Sequence, residues 1–178
     1  MRLAPELARY AAPRSRCMTT PIVMLVLMMA PYLVVRVLSA VTQRDFNARG
    51  AAAIGLTVLF VFTGIGHFVE TEAMAQMLPP WVPERVLLAY LTGILEFAIA
   101  GGFLVRKPRQ FTGWVAAAVL VLFFPANVYA AINQIPMGGH ASGPAYLLIR
   151  APLQVIILFW VYSFTIKRSN HSGKEGDR

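Results

Sequence analysis

Residues Phe123–Gln154 read FFPANVYAAINQIPMGGHASGPAYLLIRAPLQ. The stretch closes one apolar run, turns through a loop rich in glycine and proline, and opens the next. Asn127, Arg150 and Gln154 stand inside or at the rim of runs long enough to cross hydrocarbon. An amide or guanidinium there is costly unless another group pairs with it. The rest of the chain is therefore read as the supply of those partners, which makes the expected fold all-α: membrane helices with their polar positions turned towards one another.

Composition agrees. The 178 residues are enough for one domain, and 57% are hydrophobic against 13% charged. A soluble domain carries about 25% charge, so the shortage fits a chain that faces lipid, as does a mean hydropathy of +0.60. The net charge of +8 raises the question of nucleic acid. Its arginines and lysines, however, gather at the ends of apolar runs and form no continuous basic face, which reads as topology marking. The single cysteine, Cys17, excludes an intramolecular disulfide, a paired-thiol redox motif and a cysteine-based zinc site.

Residues 1–20 form a basic extension with Arg2, Arg9, Arg14 and Arg16; residues 21–46 form an additional hydrophobic helix, its apolar core at Ile22–Val41. Pro31 interrupts that run, and Arg36 lies near its end, where a long side chain reaches the interface. Residues 47–168 hold four further candidate spans, Ala51–Val69, Val86–Val105, Phe111–Ala131 and Tyr146–Ile166. Gly55, Thr63, Gly64 and Gly66 are small enough to let helices approach closely. Between the second and third spans, Met74, Met77 and Leu78 lie on one side of a short helix that Pro79, Pro80 and Pro83 stop, and Trp81 suits an interfacial anchor. Glu96 lies roughly 15 Å from either end of its span, near the midplane. Residues 169–178 read as a disordered tail.

The basic Arg106–Arg109 turn and the Lys167 end are expected in the cytoplasm, with Arg44 and Arg49 in agreement. The Glu70–Arg85 and Ile132–Ala145 loops then lie outside. The first span conflicts, because it places four N-terminal arginines outside. A chain that starts at Met18 removes the conflict; a first segment that does not fully span is the alternative.

This topology gathers His67, Glu70, Asn127, Arg150 and Gln154 in the outer half of the membrane, with Glu96 deeper. Thr63, His67 and Glu70 share one helix face, and Arg150 and Gln154 another. Each has a plain and a functional reading. Glu96 is half of an ion pair, a protonated acid, or a working carboxyl. Arg150 pairs with Glu96 or with lipid phosphate. Asn127 repairs the backbone beside Pro125 or contributes to a site. His67 is a donor at a helix end or a proton-transfer group. A metal is not expected, because no second histidine or cysteine shares its helix face; His140, in the glycine-rich loop, is the one residue placed to approach from outside.

Five blocks resemble the DoxX-like membrane proteins: GIGHF (Gly64–Phe68), PPWVP (Pro79–Pro83), LTGILEFAIAGGFL (Leu91–Leu104), FPANVYAA (Phe124–Ala131) and RAPLQ (Arg150–Gln154). The resemblance covers roughly residues 51–164 and keeps the family's block order. It implies a four-helix membrane bundle within residues 47–168 and an N-terminal helix as an addition; the expected setting is a bacterial inner membrane, with the C-terminus cytoplasmic by the basic-loop argument. His67, Glu96, Asn127, Arg150 and Gln154 become motif positions without an assigned chemistry. The family is named for a membrane subunit of a thiosulfate–quinone oxidoreductase, so the expected role is a non-catalytic membrane subunit or anchor of a redox complex, with quinone as the candidate cofactor. The expected partners are the bilayer, a redox protein and a second copy of the chain. The alternatives are a proton-linked or small-solute carrier working through Glu96 and a structural or lipid-binding protein without turnover.

Overall fold

The structure is a computed structural model and describes residues 16–167. Most of the 1–20 extension, including the question of a start at Met18, and the whole 169–178 tail lie outside or at the edge of the described residues. The chain forms helices α1 (Arg16–Thr42), α2 (Ala48–Val69), α3 (Thr71–Gln76), α4 (Arg85–Leu104) and α5 (Arg109–Ile132), a 3₁₀ segment (His140–Tyr146), α6 (Leu147–Val161) and a π turn (Tyr162–Ile166). Among the described residues five helical stretches are long and apolar enough to cross a membrane: Thr19–Thr42, Ala48–Val69, Arg85–Leu104, Arg109–Ile132 and His140–Ile166. Large apolar side chains such as Val37, Ile65, Ile94, Leu122 and Phe159 remain open on the outside. In water such a surface is an association liability; in a bilayer it is the lipid-facing coat. The protein is an all-helical, multi-pass membrane protein.

Sequence explains the helix limits. Asn47 caps α2, its side-chain oxygen accepting the N–H of Gly50 at 2.9 Å. Proline in the turn after α3 stops that helix at Gln76, and Glu84 takes a left-handed conformation (φ 48°) that redirects the chain into α4. Pro31 does not end α1. A proline inside a membrane helix costs a backbone bond that neighbouring groups make good, and the helix continues to Thr42.

Inside a bilayer, apolar burial supplies little drive for helices to associate, so close packing must supply it. Two glycines set the register. At Gly55 of α2 an added Cβ would collide with the backbone carbonyl of Met28 in α1, so the two main chains touch there. At Gly93 of α4 an added Cβ would come within 2.7 Å of the Phe68 ring and 2.8 Å of His67 Cβ. That approach lays the last turn of α2 directly on α4. The most enclosed core side chains are Met28 from α1, Leu56 from α2, Phe103 from α4 and Ile157 and Val161 from α6. Helix α1 thus contributes to the common core. Its Tyr32 also meets the rings of Trp160 and Phe164, at centroid distances of 5.3 and 5.1 Å.

The antiparallel order collects unlike groups at the two ends of the bundle. One end carries Arg36, Arg44, Arg49, Arg106, Lys107, Arg109 and Lys167. There Arg49 Nη2 donates to the Lys167 carbonyl at 2.9 Å, Arg109 Nε to the Phe103 carbonyl at 2.9 Å and Gln110 Nε2 to the Ile166 carbonyl at 3.3 Å. The opposite end holds the close of α2, the start of α4, the close of α5 and the start of α6, and with them the polar side chains singled out by sequence.

Candidate functional site

His67 lies in the last turn of α2 and Thr92 in the second turn of α4. Their Nδ1 and Oγ1 are 3.0 Å apart. The Thr92 hydroxyl has one proton, and it is directed to the Ala89 carbonyl at 2.8 Å, which can only accept. Nδ1 of His67 must therefore carry the hydrogen and donate to Thr92. The other ring nitrogen, Nε2, is left facing Glu96, 3.9 Å from Oε1. Glu96 is buried at 7% exposure, and its second oxygen, Oε2, has no hydrogen-bond partner among the described residues. The Thr63 hydroxyl lies alongside the carboxyl from α2.

This geometry constrains the chemistry. With Nδ1 always protonated, Nε2 and the carboxyl share one proton between them. Held on the carboxyl, it leaves two neutral groups; held on Nε2, it leaves an ion pair. The net charge of the pair is zero in both forms, which a membrane interior tolerates far better than a lone ion. At 3.9 Å the two groups are in ion-pair range but beyond hydrogen-bond reach, so a proton passes between them only if they close by about 1 Å or a water bridges them.

The second half of the cluster is built on α5 and α6. Arg150, partly buried, donates from Nε to Asn127 Oδ1 at 3.0 Å. Asn127 in turn donates from Nδ2 to the Phe123 carbonyl at 3.0 Å, one turn back in its own helix. These two bonds fix which way the amide faces. Gln154 donates to the Leu120 carbonyl in the turn preceding Pro125. Asn127 and Gln154 thus serve carbonyls in the stretch that precedes the proline. The carbonyl four residues before Pro125, that of Val121, is the one the ring leaves without its usual donor.

Of the five expected positions, His67 and Glu96 are brought face to face, and Arg150 and Asn127 are hydrogen-bonded. Arg150 lies within electrostatic reach of Glu96, but no direct ion pair joins them among the described residues. The nearest charged-group partner of Glu96 is His67. Gln154 is buried one turn further along α6 and works as an anchor to α5. Glu70, grouped with His67 by helical spacing, is exposed at the cap of α2. Sequence reasoning missed Thr92. Its signal was the i, i+4 spacing to Glu96, which puts both on one face of α4. It also undervalued His140, which is buried at 4% exposure.

A separate cleft of about 340 Å³, lined by Glu72, Gln76, Pro80, Glu84 and Arg85, lies in the α3–α4 turn outside this cluster. Among the described residues no three histidine, cysteine, aspartate or glutamate side chains gather as a metal-binding group.

No match is found among the curated proteins, and none among the solved structures. Residues 56–165 match a family model described as Domain of unknown function (DUF8561). The matched stretch takes in His67, Thr92, Glu96, Asn127, Arg150 and Gln154 and more than half of the chain, which therefore belongs to that family.

Proposed function

We propose that the protein is a non-catalytic membrane subunit, or anchor, of a redox complex in a bacterial inner membrane, and that it holds the head of a quinone-type lipid beside Glu96, His67 and Arg150. The observation that supports this reading is the buried Glu96 carboxyl inside membrane-spanning helices, whose Oε1 lies 3.9 Å from Nε2 of His67 and whose Oε2 has no partner among the described residues. A quinone needs hydrogen-bond donors at its carbonyls and a route for protons when it is reduced. Arg150 and a proton-sharing carboxyl–imidazole pair are groups of that kind. The resemblance of five sequence blocks to DoxX-like proteins supplies the redox context by analogy of fold. In this reading residues 47–168 are the bundle, residues 21–46 an added helix, the basic end faces the cytoplasm together with the C-terminus, and the polar cluster lies in the outer half.

The test is purification in mild detergent from the native membrane, followed by mass spectrometry of co-purifying proteins and extracted quinones. Recovery of an oxidoreductase or of stoichiometric quinone, reduced in Glu96→Gln, is the expected result. Protein that carries neither overturns the reading. The same unpartnered carboxyl oxygen favours one rival, a proton-linked carrier. That rival predicts pH-driven flux into liposomes that Glu96→Gln abolishes.

A further inference from the structure

Residues 63–68 read TGIGHF and residues 92–97 read TGILEF. Threonine, glycine, isoleucine and phenylalanine recur at the same places, and His67 and Glu96 share the fifth place. The first copy lies in α2 and the second in α4. These helices run antiparallel, so the copies meet head to tail.

The contacts between them come in exchanged pairs. A Cβ added at Gly64 would come within 2.9 Å of the Phe97 ring, and one added at Gly93 within 2.7 Å of the Phe68 ring. The two rings stack on each other, with centroids 5.7 Å apart and planes 13° from parallel. His67 Nε2 faces Glu96 Oε1 at 3.9 Å. Each threonine hydroxyl donates to the carbonyl three residues back in its own helix, Thr63 to Phe60 at 3.3 Å and Thr92 to Ala89 at 2.8 Å. Exposure repeats as well: Ile65 and Ile94 are 50% and 56% exposed, Phe68 and Phe97 41% and 38%, and both glycines are buried. Likeness between two apolar segments does not by itself set equivalent residues against each other. A local two-fold axis in the membrane plane does, and it passes between His67 and Glu96. Larger inverted repeats in membrane proteins place their sites on such an axis.

We infer that the two copies are the halves of one site for a single proton, and that its acid and base positions, 67 and 96, are interchangeable. With Nδ1 of the imidazole protonated, Nε2 and the carboxyl hold one proton between them. Thr92 orients His67 by accepting from Nδ1 at 3.0 Å. The two-fold gives Thr63 the same part towards position 96, and its hydroxyl lies alongside the Glu96 carboxyl. Thr63 and Thr92 are thus equivalent positioning residues, each serving the opposite copy. Glycine stands at 64 and 93 because the opposite ring takes the space a methyl would need. The inference is independent of the redox reading, since neither a quinone nor a partner protein enters its test.

The experiment exchanges the pair in the full chain, purified in detergent. His67→Glu alone sets two carboxyls together, and Glu96→His alone two imidazoles. The double variant restores one of each in reversed places. Its melting temperature should exceed that of both single variants and recover at least half of what they lose. By ¹⁵N shifts, the transplanted imidazole should carry its hydrogen on Nδ1. Thr63→Val should abolish that preference, Thr63→Ser should keep it, and Thr92→Val should leave it untouched. A folded double variant no more stable than the single ones, or a tautomer indifferent to Thr63, overturns the inference. Should the exchanged chain not fold, the glycine–ring contacts decide. Gly64→Ala should lose stability that Phe97→Leu restores in part and Phe68→Leu does not; for Gly93→Ala the two partners trade roles. Rescue within one copy, or no rescue, counts equally against the two-fold.

Discussion

The two ends of the bundle handle charge in opposite ways. At the basic end, Arg49, Arg109 and Gln110 reach outward along the surface and donate to carbonyls near the close of helices. Those carbonyls are the ones a helix leaves without an internal partner, and cations there also oppose the helix dipole. Water stays within reach, so each contact adds little and its loss costs little. At the other end, Glu96, His67 and Arg150 are drawn in among the helices, and their partners are other side chains. There a missing partner cannot be replaced by water. The same residue type, arginine, marks topology at one end and completes a buried network at the other.

The sharpest way to break this comparison is to remove one buried charge. Arg150→Gln strands Asn127 Oδ1 and deprives Glu96 of its nearest fixed positive charge. Leaving one member of a buried charge network uncompensated typically costs about 3–5 kcal/mol. Thermal unfolding in detergent should show that loss for Arg150→Gln, a smaller one for Glu96→Gln, and less than their sum in the double variant. Strict additivity would mean that the two residues stabilise separate parts of the bundle.

A smaller effect is expected at Thr92. Thr92→Val keeps the shape but removes the acceptor for His67 Nδ1–H, at a cost of about 1–2 kcal/mol. It also frees the imidazole to take its other tautomer. The ¹⁵N shifts of the His67 ring should report the change, and an unaltered tautomer would mean that Thr92 does not set it.

Smaller still is the response at the basic end. Arg49→Gln should alter stability by less than about 1 kcal/mol, because water takes over the released carbonyl of Lys167. A loss equal to that of Arg150→Gln would erase the distinction between the ends.

Orientation can be read with no change in stability. In a Cys17→Ser background, Gly139→Cys should react with a membrane-impermeant thiol reagent on whole cells, and Ser169→Cys should not. The reverse pattern would place the basic end outside.

The spans were legible because apolar runs of this length have few other uses. Their edges were not. Val86–Val105 corresponds to Arg85–Leu104, within a residue, but Ile22–Val41 grew into Arg16–Thr42. The short helix stops at Gln76, before Met77 and Leu78. The last span opens in a 3₁₀ segment at His140 and closes in a π turn at Tyr162–Ile166. Hydropathy does not distinguish these from α-helix. The charged and amide positions could be named from sequence, since a carboxylate or guanidinium amid apolar residues stands out on its own, whereas a hydroxyl such as that of Thr92 does not. Pairing could not, because it depends on how far each helix is rotated about its axis. Glycine decides that rotation here. Gly93 lets α2 settle low on α4, which brings His67 to Thr92 and Glu96 and leaves Arg150 to find Asn127.

The contact at Gly55 has a consequence for how the molecule can be divided. The matched family region opens at Leu56, one residue after the point where the main chains of α1 and α2 meet. A cut made there would sever α2 near its middle third and discard the helix whose Met28 fills the space against Leu56. The natural unit for expression and for swapping between relatives therefore begins upstream, with α1 and α2 moved together as a hairpin. A sequence boundary drawn by similarity and the boundary drawn by atoms in contact differ here by one whole membrane crossing.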